Sequence, residues 1–160
     1  MNRTRTLFIL LSVLFLISSC DSIVDGRKGD DFRANQNLWQ KQNIENYSFE
    51  FSKLCYCGGL FNPSTIVVKA DTIHAVLDPE TGEPLRDPQT DELVLQKYPE
   101  SFLTIDELFG VIENTREKAD ELDVEYNQQL GYPEFIAIDY MKEAIDDEVS
   151  YKVDNFEPSQ

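Results

Sequence analysis

A chain of 160 residues with 30 acidic and 14 basic side chains carries a net charge of −16. That balance argues against nucleic acid, which is held by lysines and arginines that displace counterions, and against docking by charge on anionic lipid. Ten phenylalanines and seven tyrosines supply enough apolar surface for one domain with a real core, which separates the chain from disordered acidic tails.

The chain opens as an export signal does. Arg3 and Arg5 precede an apolar run from Leu7 to Ile17, followed by Ser18 and Ser19. The run is about eleven residues, well short of the roughly 20 that span a bilayer as a helix. Its last part, Leu16-Ile17-Ser18-Ser19-Cys20, resembles the lipobox of bacterial lipoproteins. The resemblance implies that residues 1–19 are removed and that Cys20 becomes the lipidated first residue of a protein anchored outside the cytoplasm. Several acyl chains together give stable anchoring. Whether the inner or the outer membrane holds it is left open. Without residues 1–19 the chain has 12 basic and 30 acidic residues, a net charge of 12 − 30 = −18.

Residues 20–34 read as a lipidated flexible tether, polar and with two glycines. Residues 35–157 read as a single α+β domain. Asn35 to Asn43 is expected to be a short helix with Trp39 buried against a sheet. Tyr47-Ser48-Phe49-Glu50-Phe51-Ser52 alternates as a half-buried strand does. Thr65–Lys69 and Thr72–Leu77 are two further strands joined by a tight turn at Ala70-Asp71.

Next comes an internal repeat. Asp78-Pro79-Glu80-Thr81-Gly82-Glu83-Pro84-Leu85-Arg86 is followed directly by Asp87-Pro88-Gln89-Thr90-Asp91-Glu92-Leu93-Val94-Leu95. Each Asp-Pro-x-Thr opens like a type I turn with proline second. Residues 78–95 are expected to be an extended acidic insertion on the sheet's rim, exposed to solvent. It lacks the alternating oxygen ligands of an EF-hand, so calcium is not favoured.

Thr104-Ile105-Asp106-Glu107 is a capping box. Ile105, Leu108, Phe109, Ile112 and Ala119 follow it at helical spacing. Leu122, Val124 and Tyr126 alternate with acids, Gly131-Tyr132-Pro133 is a turn, and Ile136, Ile138 and Tyr140 form the next strand. Asp146-Asp147 turns the chain into Val149, Tyr151 and Val153. The order helix, three strands, helix, three strands suggests an antiparallel sheet with helices on one face, and a duplicated αβββ unit.

Cys55 and Cys57 are the only cysteines besides Cys20. On a regular strand their Cα atoms stand about 6.5–7 Å apart, at the limit of disulfide reach. Gly58-Gly59 makes a shortening bend easy. In an oxidising compartment a local structural disulfide is the favoured reading. A thiol-redox pair and a metal site compete with it. Zinc needs two more ligands, and His74 is the one histidine. His74 reads as a partly exposed strand residue.

Several of these features recur together. Trp39, Ile44-x-x-Tyr47-x-Phe49, Cys55-x-Cys57, Val67-Val68 and the turn into Ile73 form one part of the pattern. Thr104 to Phe109, Gly131-Tyr132-Pro133, Ile138-Asp139 and Asp146-Asp147-Glu148 form the other. Over residues 35–156 the chain resembles the DUF6174 type, small bacterial lipoproteins of unknown function. It departs from that pattern at Gly58-Gly59, where a proline often follows the cysteines, and in its longer insertion. The resemblance implies a lipoprotein domain and assigns no reaction.

The sequence therefore points to a non-enzymatic envelope module that contacts an unidentified envelope protein or polymer, with no cofactor and no nucleic acid. One alternative is redox or metal handling through Cys55 and Cys57. Another is a hydrolase using two of the carboxylates, whose spacing only three dimensions can give.

Overall fold

The computed structural model describes residues 28–56 and 63–159. It is an α+β domain with one six-stranded antiparallel sheet. Its elements are α1 (Lys28–Gln42), β1 (Tyr47–Cys55), β2 (Ser64–Lys69), β3 (Thr72–Leu77), α2 (Val94–Lys97), α3 (Ile105–Thr115), β4 (Glu121–Tyr126), β5 (Pro133–Asp139) and β6 (Val149–Pro158), with a 3-10 turn at Pro99–Ser101.

Helix α1 begins seven residues before the expected Asn35. Phe32, already inside it, is buried and meets Phe109 of α3 edge-on at 6.0 Å. The tether predicted over 20–34 therefore ends no later than residue 27. Phe32 and Trp39 lie two turns apart on one face of the helix. Asn43 closes it with φ 52°, the left-handed conformation that asparagine tolerates after a helix end.

The strand order is β3-β2-β1-β6-β5-β4. Two three-stranded meanders meet where β1 pairs with β6, in a register from Tyr47 opposite Pro158 to Cys55 opposite Val149. Ala70 and Asp71 turn β2 into β3 with φ 48° and 57°, the positive pair of a type I′ hairpin. The alternation read in the sequence sets the faces. Tyr47, Phe49 and Phe51 point into the core, as do Ile66, Val68, Ile136 and Ile138. Ser48, Glu50 and Ser52 point to the other face, which no helix among the described residues covers.

Tyr47 joins the layers. Its ring lies edge-on to Trp39 of α1 at 5.6 Å and beside Phe156 of β6 at 5.3 Å. Its hydroxyl accepts the Ile105 backbone N–H at 3.2 Å. Both helices therefore lie on one face of the sheet. Thr104 caps α3: its hydroxyl accepts from Glu107 N–H, while the Glu107 carboxylate accepts from Thr104 N–H at 2.7 Å. The buried stripe Ile105, Leu108, Phe109 and Ile112 then follows at helical spacing.

The chain shows the expected order of helix, three strands, helices, three strands. Superposing the first half on the second keeps the left-to-right order of strands and reverses their direction. A rotation that does this also exchanges the faces of the sheet. Because α1 and α3 share a face, the halves have an element order in common but are not rigid copies. The duplicated αβββ unit is therefore not the plan of the sheet.

The insertion is more ordered than an extended loop. The Asp78 carboxylate accepts from Glu80 N–H, Thr81 N–H and the Thr81 hydroxyl; Asp87 repeats this with Gln89 and Thr90. Gly82 and Asp91 both take φ near +60 to +70° (70° and 59°) at matching positions. Leu85 N–H donates to Val76 carbonyl, and nine residues later Val94 N–H donates to Leu85 carbonyl. The nine-residue sequence repeat is thus a structural repeat that lies along the edge of β3. Asp87 is 5% exposed. Lys97 Nζ and the Tyr98 hydroxyl lie 2.9 and 2.8 Å from its second oxygen, and these bonds hold its carboxyl well below the usual range. The insertion is largely exposed, as the sequence suggests, but its two turns are ordered and cover an edge strand, a device against unwanted pairing.

Tyr47→Phe should lower unfolding free energy by about 1–3 kcal/mol, since it strips the partner from a buried N–H at Ile105. Urea titration checks this; an unchanged midpoint would remove Tyr47 as the link between the sheet and α3.

Candidate functional site

One end of the open sheet face gathers features that core building does not require. There β5 ends at Asp139, directly opposite Glu121 of β4. Two acids facing each other across neighbouring strands repel. Lys142, just beyond β5, relieves one of them: its ammonium lies 2.6 Å from Glu121. Asp139 keeps the rest of the strain. Burial, together with the charges of Asp147, Glu148 and Glu121, pushes its carboxyl above the usual range. Its Oδ1 is shielded from solvent with no hydrogen-bond partner, as is Oδ1 of Asp147.

Residues 140–148 carry the chain from β5 to β6 around this spot. Asp147 accepts the Met141 N–H at 2.8 Å, and Asp146 takes φ 70° at the turn. With the end of β1 the loop encloses a cleft of about 470 Å³. Leu54 and Tyr56 line one side, and Asp139, Asp146 and Glu148 the other. The large apolar side chains that stand exposed among the described residues all belong to this end: Leu54, Tyr56, Tyr140, Met141 and Ile145. Tyr56 is 81% and Ile145 87% exposed.

A second groove, of about 450 Å³, runs between α1, α3 and β4. Arg116 lies over the Phe32 ring there at 5.5 Å.

The residues singled out in the sequence are dispersed. Cys20 and Cys57 lie outside the described residues, so neither the lipid attachment nor the Cys55–Cys57 pairing can be read from the fold. Cys55 ends β1 opposite Val149 and borders the acidic cleft. His74 is exposed on β3, level with Val67 and Val68 and hence with the Tyr47 end of β1. Cys55 is seven or eight residues further along, roughly 25 Å at strand spacing. The two cannot share a metal ion. Among the described residues no three His, Cys, Asp or Glu side chains are grouped to hold one, and no helix is long and apolar enough to cross a membrane.

A family model described as a family of unknown function, DUF6174, matches residues 31–158. The chain belongs to this family. The match starts one residue before Phe32 and ends at the last residue of β6, so the family unit is the whole sheet with both long helices and the insertion. No curated protein and no solved structure matches the chain. Of the residues quoted for the resemblance, Asp139, Asp146 and Glu148 meet in the cleft. Sequence reasoning took them only as strand end and turn. The overlooked signal was Met141 and Ile145 in a loop where polar residues are the norm.

The raised proton affinity of Asp139 fixes a pH dependence. The native state holds that proton more tightly than the unfolded chain, so stability falls as pH rises through the folded pKa. Asp139→Asn should raise the thermal midpoint at neutral pH, with the gain shrinking toward about pH 3, below the ordinary aspartate pKa of about 3.9. Calorimetry at the two pH values checks it; equal gains at both would mean that charge is not the cause.

Proposed function

We propose that this DUF6174 member is a membrane-anchored envelope lipoprotein, held through Cys20, whose domain is a non-enzymatic interaction module. One observation carries the binding reading: exposed Leu54, Tyr56, Tyr140, Met141 and Ile145 gather at a single end of the sheet. A soluble domain that leaves large apolar side chains together in water marks a contact surface. The anchoring rests on the lipobox resemblance. In that compartment Cys55 and Cys57 form a local disulfide at the end of β1, beside the contact surface.

A second reading, hydrolysis by a carboxylate pair, draws on the raised proton affinity of Asp139 in an acidic cleft. The exposed apolar side chains outside the cleft have no role in it.

Two experiments test the proposal. Cys20→Ser should abolish acyl labelling and release the protein from membranes; a variant that still sediments with them would overturn the anchor. A photo-crosslinking residue placed at Tyr56 or Ile145 in living cells should give a discrete adduct that the same residue at Glu80 does not. Absence of adducts from both positions would overturn the interaction surface.

A further inference from the structure

The structure assigns a chemistry to the partner. We propose that the cleft between the end of β1 and the 140–148 loop docks a protein segment bearing lysine or arginine beside aliphatic or aromatic side chains. This rests on the interaction reading above and deepens it.

Three observations converge. Leu54 and Tyr56 line the cleft, and Met141 and Ile145 stand exposed on the 140–148 loop at the same end of the sheet. Such side chains become favourable to bury once a partner excludes water from them. The cleft is acidic, with Asp139, Asp146 and Glu148 lining it together with Glu121. The charge there is only partly compensated: Lys142 pairs with Glu121 and also feels Asp139, while Lys152 is engaged by Asp154 at 2.9 Å. Asp139 and Asp147 each keep one oxygen shielded and without a donor. A guanidinium or ammonium entering the cleft relieves through its charge the repulsion that Asp147, Glu148 and Glu121 impose on Asp139.

The same features argue against other occupants. A second copy of this chain brings the same acids, and juxtaposed like charges cost several kcal/mol, on the order of what an interface must gain. An anionic bilayer repels the cleft. A bare metal ion finds no group of three ligands among the described residues.

The test uses the full chain in a zwitterionic detergent and a fluorescent Lys-Leu-Trp repeat peptide, with a Glu-Leu-Trp counterpart. Anisotropy should show binding of the lysine peptide alone, weakened by salt. The paired substitutions Asp139→Asn with Glu148→Gln, and Met141→Ser with Ile145→Ser, should each weaken it about tenfold. Glu80→Gln with Glu83→Gln removes the same charge from the insertion and should leave binding unchanged. Circular dichroism confirms that each variant is folded.

Equal loss in the insertion variant would mean a general acidic field and overturn the site. So would equal binding of the glutamate peptide, or failure of the lysine peptide to bind. Capture by phosphatidylcholine–phosphatidylglycerol vesicles that depends on Met141 and Ile145 would replace the partner segment with lipid. If the lysine peptide fails while crosslinks from Tyr56 and Ile145 persist in cells, the cationic class falls and the interaction module stands. If both fail, both fall.

Discussion

Tyr47 stands at the first residue of the first strand, and the layers of the domain meet on it. Its ring packs against both Trp39 and Phe156, which also meet each other, and its hydroxyl takes up the first backbone N–H of α3. A helix start leaves several N–H groups without intrahelical partners. Thr104 and Glu107 serve this end from within the helix, and Tyr47 serves it from the sheet. The helix position is therefore set by a directional bond, and not by apolar packing alone. The same ring sits where the first and last strands pair, so the closure of the sheet and the docking of α3 depend on one side chain.

Local chemistry was legible. The capping box at Thr104, the hairpin at Ala70-Asp71 and the alternation of β1 each depend on residues close in sequence, and each is found. The start of α1 was not legible, because Phe32, Leu38 and Trp39 are sparse among polar residues and give little apolar periodicity. Helix α2 is a single turn, held by backbone bonds to Leu93 and Val94, and is too short for any period to show. The pairing of β1 with β6 joins segments nearly a hundred residues apart. No local pattern encodes it, yet it decides that the halves are not rotated copies.

The candidate site was hidden for a related reason. Asp139, Asp146 and Glu148 were visible as single features, but their meeting depends on the register of β4 on β5 and on the path of the 140–148 loop. Parity also misleads about Cys55. It shares parity with the core residues Phe49 and Phe51, yet it lies at the strand end, where the core has run out and the cleft begins.

The two turns at Asp78 and Asp87 share one hydrogen-bonding plan offset by nine residues. Removing one unit would let Val94 take the place of Leu85 opposite Val76, with the anchoring of Asp87 by Lys97 and Tyr98 intact. The rim of this domain is thus built in quanta. A change of length by whole nine-residue steps preserves this bonding plan, and intermediate lengths would break it.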